Sequence, residues 1–307
     1  MIKIRLTPGL GVAQVLLGAA LISQVGIFIK ILVVDYAQPV LVVTFWRNLI
    51  VCLLLAAGLA VFKPQKLKAG RRNLPLLAFY GLVLTGMNGI WGGSVYFNGA
   101  GVATVLVYIS VPITVLGQWM LGGEKPTLRI LPSVLLCLIG CAMVCGITSL
   151  SDFSLTPAGI FLGLLSGLFY SAYSLFGREC AAREIDPFCV LMHVFGFSAL
   201  FMLVINLCSA GVIPGTAPSP AAILMPGTDF RAWVLVAVLA AGPSMGGWSL
   251  INSSLSRLSP SVVNILLTTE PMMTALVAIP VLNEYMTAEQ WAGCLLIVGG
   301  VIVLKKR

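Results

Sequence analysis

Residues 112–140 read PITVLGQWMLGGEKPTLRILPSVLLCLIG, and residues 271–300 read PMMTALVAIPVLNEYMTAEQWAGCLLIVGG. The two stretches share one pattern. Pro112 sits in an apolar run, the turn Glu124-Lys125-Pro126-Thr127 follows, and Gly140 closes the stretch. Pro271, Glu284-Tyr285-Met286-Thr287 and Gly300 repeat it, with Pro271 lying 159 residues beyond Pro112. Each copy closes one half of the chain, residues 1–150 and residues 155–307, and each half holds five apolar segments. Five is odd, so the second half begins on the opposite side of a membrane from the first. Inverted-topology repeats of this kind recur in secondary transporters. The fold expected is all-α and polytopic, with ten transmembrane helices in two five-helix inverted repeats.

The composition demands lipid. Hydrophobic residues make up 59% and charged residues 9% of 307, with mean hydropathy +1.04. A soluble domain carries about 25% charged residues, so this chain cannot cover a water-facing surface. A span needs about 20 apolar residues. Runs at roughly 10–34, 39–62, 74–97, 101–121, 128–147, 158–178, 188–210, 232–254, 259–282 and 288–304 satisfy that. The first run reads as a span, not as a cleaved signal, because no convincing cleavage site follows it.

Lys and Arg set the orientation. Lys3, Arg5, Lys63, Lys66, Lys68, Arg71, Arg72, Lys125, Arg129, Arg178, Arg183, Arg257, Lys305, Lys306 and Arg307 fall on one side of that arrangement, leaving three of the 18 elsewhere. The positive-inside rule makes that side, with both termini, cytoplasmic. The link Thr148–Ser154 and the Pro- and Gly-rich segment 211–230 then face outward, the latter as a surface loop or a disordered linker. The net charge of +8 does not indicate a nucleic-acid partner, since the cations sit in loops beside spans and form no basic face.

Polar residues inside the apolar runs are the functional signal. Glu270 lies in mid-span, where an ionised Asp costs about 2.5–3.5 kcal/mol and Glu should cost a similar amount. It is therefore protonated, paired or open to an internal cavity, and it either relays protons or bonds local backbone. Arg47, also within a span, pairs with Glu270, binds a substrate carboxylate or reaches toward the lipid surface. Lys30, near a span end, is expected to snorkel. His193 is the only histidine and reads as a packed polar residue or a relay element. Tyr80, Asn88, Trp91, Tyr96 and Tyr108 from the first half, with Tyr170, Tyr173, Trp248 and Asn252 from the second, would line an apolar pocket suited to small amphipathic solutes. Tyr80 and Tyr96 also suit membrane-interface anchors.

Pro112, Pro243 and Pro271 each remove a backbone donor and free a carbonyl four residues earlier. Glycines repeat at four-residue spacing in Gly159/Gly163/Gly167, Gly89/Gly93 and Gly242/Gly246. They mark faces where helices approach closely, for static packing or for rocking. Cys137, Cys141 and Cys145 share a helix face but lack metal-ligand spacing, so no metal or other cofactor is expected. Catalytic triads, a HExxH sequence and phosphate-binding glycine loops are absent from the sequence, which argues against an enzyme.

On Arg47-Asn48, Pro112, Gly123-Glu124, Gly140, Glu270-Pro271, Asn283-Glu284 and Gly300, the chain resembles the drug/metabolite transporter superfamily in its ten-helix EamA-type branch. Asn283 stands where that family often has glycine. The order of aromatics also resembles the YddG-type exporters of aromatic amino acids. The resemblance implies a bacterial inner-membrane exporter of amino acids or similar metabolites. Two five-helix halves would rock about a central cavity to alternate access, with one chain functional as a monomer. A drug or nucleotide-type carrier of the same superfamily is the alternative, although a nucleotide carrier should offer its cavity more cations than Arg47 and Lys30. A channel is a further possibility that topology alone leaves open.

Overall fold

The computed structural model describes residues 8–123, 130–146, 156–209, 211–225, 229–282 and 285–305. Every regular element among them is helical: α1 (Pro8–Ile22), α2 (Val25–Val34), α3 (Val40–Phe62), α4 (Leu74–Val107), α5 (Ser110–Met120), α6 (Ile130–Val144), α7 (Pro157–Ala182), α8 (Pro187–Ser209), α9 (Phe230–Leu239), a π-helix (Ala240–Gly246), α10 (Gly247–Ser254), α11 (Pro260–Leu267), α12 (Glu270–Leu282) and α13 (Ala288–Lys305), with short 3-10 turns between some of them. Seven helical stretches are long and apolar enough to cross a membrane, and Ile130–Val144 and Ala288–Val303 are shorter apolar helices. The turns at Glu124–Thr127 and Asn283–Glu284, the link Ser151–Ser154, and Lys3, Arg5, Lys125, Arg129, Lys306 and Arg307 lie outside the described residues.

Several expected spans are broken, each for a local reason. Pro112 lacks the N–H that would bond the Tyr108 carbonyl. The chain turns there, between α4 and α5, and Val111 N–H bonds Tyr108 O instead at 3.0 Å. Pro271 does the same to Leu267, where α11 stops. Pro243 sits inside the π-helix, a geometry frequent at functional sites. Gly99 is not such a break: with φ 80°, a conformation that a Cβ disfavours, it separates two expected spans within α4, one ending at Gly99 and the next beginning at Gly101. The first span also divides, at Ser23-Gln24, which its uninterrupted apolar pattern does not announce.

The segment 211–230 is folded against the bundle, which rules out the linker reading for its described part. Leu41 N–H bonds Gly215 O at 2.8 Å, Ala217 N–H bonds Asn206 Oδ1 at 2.8 Å, and Trp46 Nε1 bonds Ile223 O at 2.7 Å. Ala217, Ile223 and Met225 are buried beside α2, α3, α8 and α9. Backbone groups that would otherwise be unpaired over an apolar surface are satisfied in this way.

Helices from the two halves pack in matched pairs. α4 lies against α7 as α1 lies against α10, while α3 meets α8, α5 meets α11 and α6 meets α13. Glycines set the closest crossings. A Cβ on Gly140 would stand 2.6 Å from Gly293 O, and one on Gly293 would stand 2.7 Å from Gly140 O. A Cβ on Gly300 would meet Cys137 Sγ at 2.6 Å. The three glycine faces differ from one another. Gly159, Gly163 and Gly167 are tight against Asn98, Leu106 and Ile109, with hypothetical Cβ distances of 2.5, 2.6 and 2.5 Å. Gly89 and Gly242 have open space, Gly93 is moderately close to Leu162, and Gly246 has 3.3 Å to Leu21. Close approach is thus a property of the α7 face and not of the others.

Gly140→Leu is therefore expected to destabilise the fold by about 1–3 kcal/mol or more, because backbone oxygen cannot move aside as a side chain can. Gly242→Ala is expected to be close to neutral. Thermal unfolding of both purified variants in one detergent checks this; equal midpoints would contradict the packing account.

Candidate functional site

An aromatic and amide cluster lies where the halves meet. Tyr170 and Tyr173 share a face of α7, and Trp248 and Asn252, four apart, share a face of α10. α4 supplies Tyr80. The Tyr80 and Tyr173 ring centroids are 4.7 Å apart, Tyr173 meets Trp248 edge-on at 4.8 Å, and Tyr170 lies 6.4 Å from Trp248. Asn252 ties the rings together. Its Oδ1 accepts from Tyr80 Oη at 3.2 Å, and its Nδ2 donates to Tyr173 Oη at 2.9 Å and to Trp248 O at 3.2 Å. Tyr80 is fully buried, which excludes an interface anchor. It sits near the start of α4, but α7 and α10 cover it.

A second cluster forms at the α11–α12 break. The Leu267 carbonyl that Pro271 releases is met by Tyr108 Oη of the first half at 3.3 Å. The same hydroxyl lies 3.5 Å from Glu270 Oε2, so its one proton serves either oxygen. Cys141 Sγ–H reaches Thr268 O at 3.4 Å. The first half thus satisfies the carbonyls that the broken second-half helix exposes, as helix breaks at membrane depth require. Glu270 is half-buried, with no described cation in ion-pair contact. The Tyr170 hydroxyl is buried without a hydrogen-bond partner among the described residues.

Arg47 does not reach Glu270 or the lipid surface. It is 4% exposed, its Nε donates to Asn48 Oδ1 and its Nη2 to Asn88 Oδ1, both at 3.2 Å. Asn48 Nδ2 continues to Ser198 Oγ at 3.0 Å, which lies 2.9 Å from Thr85 Oγ1. This network fixes α3, α4 and α8 to one another. His193 Nδ1 donates to Cys189 O, one turn back on α8, at 2.8 Å, which holds the ring as a packed polar residue. Trp91 is half-buried against the core. Tyr96 is 69% exposed and stacks edge-on with Phe97, so the fold does not bring it to the cluster. Lys30 is exposed on α2.

One polar network escaped the reading of the sequence. Asn264 on α11 donates from Nδ2 to Thr114 Oγ1 at 2.7 Å and accepts from Ser174 Oγ at 2.6 Å, and Thr114 Oγ1 lies 2.9 Å from Ser171 Oγ. It clamps α5, α7 and α11 just beyond the aromatic cluster. Ser171 and Ser174, three apart in an apolar helix, were the available signal.

At one end of the bundle, Lys66 Nζ meets Asp186 Oδ2 at 2.6 Å across the two halves. Burial pushes the Asp186 carboxyl up, but hydrogen bonds from Lys66 and from Phe188 N–H outweigh it and hold the group below its ordinary 3.8. A depressed carboxyl contributes stability above its unfolded value and loses it as pH falls through the folded one. With Lys66 49% exposed, the pair contributes about 0–1 kcal/mol. Asp186→Asn is expected to lower the unfolding midpoint slightly at neutral pH. That gap should close as pH drops below 3.8; a gap independent of pH would contradict the assignment.

Long apolar helices with polar residues buried between them define a polytopic membrane protein, and the paired halves fit a transporter. The EamA-like transporter family model matches twice, over residues 9–146 and 157–305. The chain belongs to that family, and is a membrane transporter of the drug/metabolite transporter superfamily. No curated protein matches its sequence. A solved structure described as "Crystal structure of protein" is 17% identical, covers 98% of this chain and 100% of its own, and superposes with a TM-score of 0.78. That likeness is one of fold.

Proposed function

We propose that this transporter exports small amphipathic metabolites, chiefly amino acids including aromatic ones, across a bacterial inner membrane by alternating access. In this reading ten spans form two inverted five-helix repeats, both termini are cytoplasmic, and a monomer suffices. The observation that carries it is the Tyr80–Tyr173–Trp248–Asn252 cluster, buried at the seam between the halves. Aromatic faces and edges offer an apolar side chain specific geometry, and the Asn252 amide and tyrosine hydroxyls offer hydrogen bonds that a substrate can take over. Glu270 and Tyr108, at a helix break beside the seam, supply a proton carrier or an ammonium partner. The break also gives α11 and α12 a hinge, as absorbed by a few residues in other closures. Asn88 and Trp91 belong to the cavity wall in this scheme, with Arg47 holding Asn88 in place.

Uptake of radiolabelled amino acids, nucleosides and nucleotide sugars into proteoliposomes tests the substrate class. Saturable uptake of phenylalanine and leucine with no uptake of nucleotide sugars is expected. Uptake confined to nucleotide sugars or to hydrophobic cations would contradict it.

A further inference from the structure

A cavity of about 540 Å³ opens beside the aromatic cluster, between α10, the start of α1 and the turn joining α7 to α8. Ser249, Ser253 and Ser256 line it. Their spacing of four and three residues puts them along one side of α10 and the turn that follows, adjacent to the side that carries Trp248 and Asn252. The same short helix therefore borders both the cluster and the cavity. The Ser249 hydroxyl is buried and has no hydrogen-bond partner among the described residues. Arg257 lines the cavity and, among the described residues, is anchored through Nη1 alone, to Gln14 Oε1 at 3.0 Å and Ser253 O at 3.3 Å. The other two nitrogens of its fork remain for a ligand. Glu184, held in the left-handed region with φ 57°, supplies a carboxylate from the α7–α8 turn. Lys66 and Asp186, also in the wall, neutralise one another.

We infer that this cavity is a loading site for a free zwitterionic amino acid, separate from the aromatic cluster and one helix face away from it. Arg257 takes the carboxylate in the two-pronged geometry its planar fork favours, and the unpartnered Ser249 hydroxyl adds an oxyanion contact. Glu184 takes the ammonium. A phosphate dianion is disfavoured because, with Lys66 and Asp186 paired, Arg257 and Glu184 leave the wall no net positive charge. The zwitterionic ethanolamine headgroup of a lipid has the same two charges, and the experiment separates the two sources. The inference rests on the amino-acid reading of the transporter for its ligand, and on the cavity alone for its position.

Ser253→Cys and Ser256→Cys variants in nanodiscs, reacted with a water-soluble methanethiosulfonate and quantified by peptide mass spectrometry, report occupancy. L-phenylalanine at ten times its Kd should slow labelling by about tenfold. N-acetyl-phenylalanine and phenylalanine amide, each lacking one charge, should not. Arg257→Gln added to either variant should remove the protection, and Trp248→Ala should leave it in place. No protection in either variant, or equal protection by all three compounds, overturns the proposal. Slow labelling in phosphatidylethanolamine but not phosphatidylcholine nanodiscs, without further slowing by phenylalanine, assigns the site to lipid and also overturns it. Phenylalanine counterflow by the wild type is measured alongside. Counterflow without protection removes the loading site alone; protection without counterflow removes the transport reading and leaves a binding site.

Discussion

In the proton-coupled form of the proposal, Glu270→Gln is expected to abolish the dependence of flux on a pH gradient and to leave substrate exchange within about twofold of wild type, because the ~0.5–1.5 kcal/mol hydrogen bond at that position is kept. Gln has the shape of Glu and can still meet Tyr108, but it cannot carry a proton. The geometry gives the carboxyl no described cation to settle it, only a hydroxyl 3.5 Å away that is shared with Leu267 O. On the proton-coupling proposal this group is ionised in the conformation that wets it and neutral in the one that closes over it, since ionisation at depth costs several kcal/mol. Tyr108 can follow the change, donating to Glu270 when it is ionised and to Leu267 O when it is not. Parallel measurement of gradient-driven flux and exchange in proteoliposomes decides the point. Gradient-driven flux equal to wild type would remove the coupling role and leave facilitated diffusion.

Trp248→Ala is expected to reduce affinity for aromatic substrates about tenfold, or 1.4 kcal/mol, with a smaller effect on aliphatic ones. The ring lies 4.8 Å from Tyr173 and 6.4 Å from Tyr170, and aromatic pairs contribute about 0.5–1.5 kcal/mol beyond their buried area. Removing it also leaves Asn252 with less to pack against, so some loss of stability accompanies the change in selectivity. Trp248→Phe keeps an aromatic surface and should recover most of the affinity. Competition by a panel of unlabelled amino acids against labelled phenylalanine measures the ranking. An unchanged ranking in Trp248→Ala would place the selectivity elsewhere.

Local features of the sequence translated directly into structure where their cause is local. Pro112 and Pro271 break their spans because the missing N–H acts on a carbonyl four residues away. Gly140 and Gly300 sit at a helix crossing because only a missing Cβ allows it. What was not legible depends on the partner half. Periodicity reports which face of a helix is buried but not what lies against it. Arg47 is thus placed at depth by its sequence position, while its bonds to Asn48 and Asn88 instead of Glu270 follow from the packing of α3 on α4 and α8. Tyr80 near a helix end fits an interface anchor as well as a pocket residue in the sequence, and the covering α7 and α10 decide for the cluster. Tyr96 shows the converse, polar and aromatic in sequence yet 69% exposed in the fold. The Asn264–Thr114–Ser174 network joins three helices far apart in sequence, which no single-segment pattern encodes.

The central claim is that a single chain alternates access to a binding site at the seam of its two halves. Counterflow tests it most directly. Proteoliposomes loaded with unlabelled phenylalanine are diluted into a trace of labelled phenylalanine, and the label is followed with time. A carrier that exposes one site to each side in turn accumulates label transiently above equilibrium, because returning sites are filled by the internal pool. The account predicts that overshoot for wild type, its persistence in Glu270→Gln, and its reduction in Trp248→Ala. Label that rises monotonically to equilibrium, at a rate indifferent to the internal load, would contradict alternating access and indicate a channel.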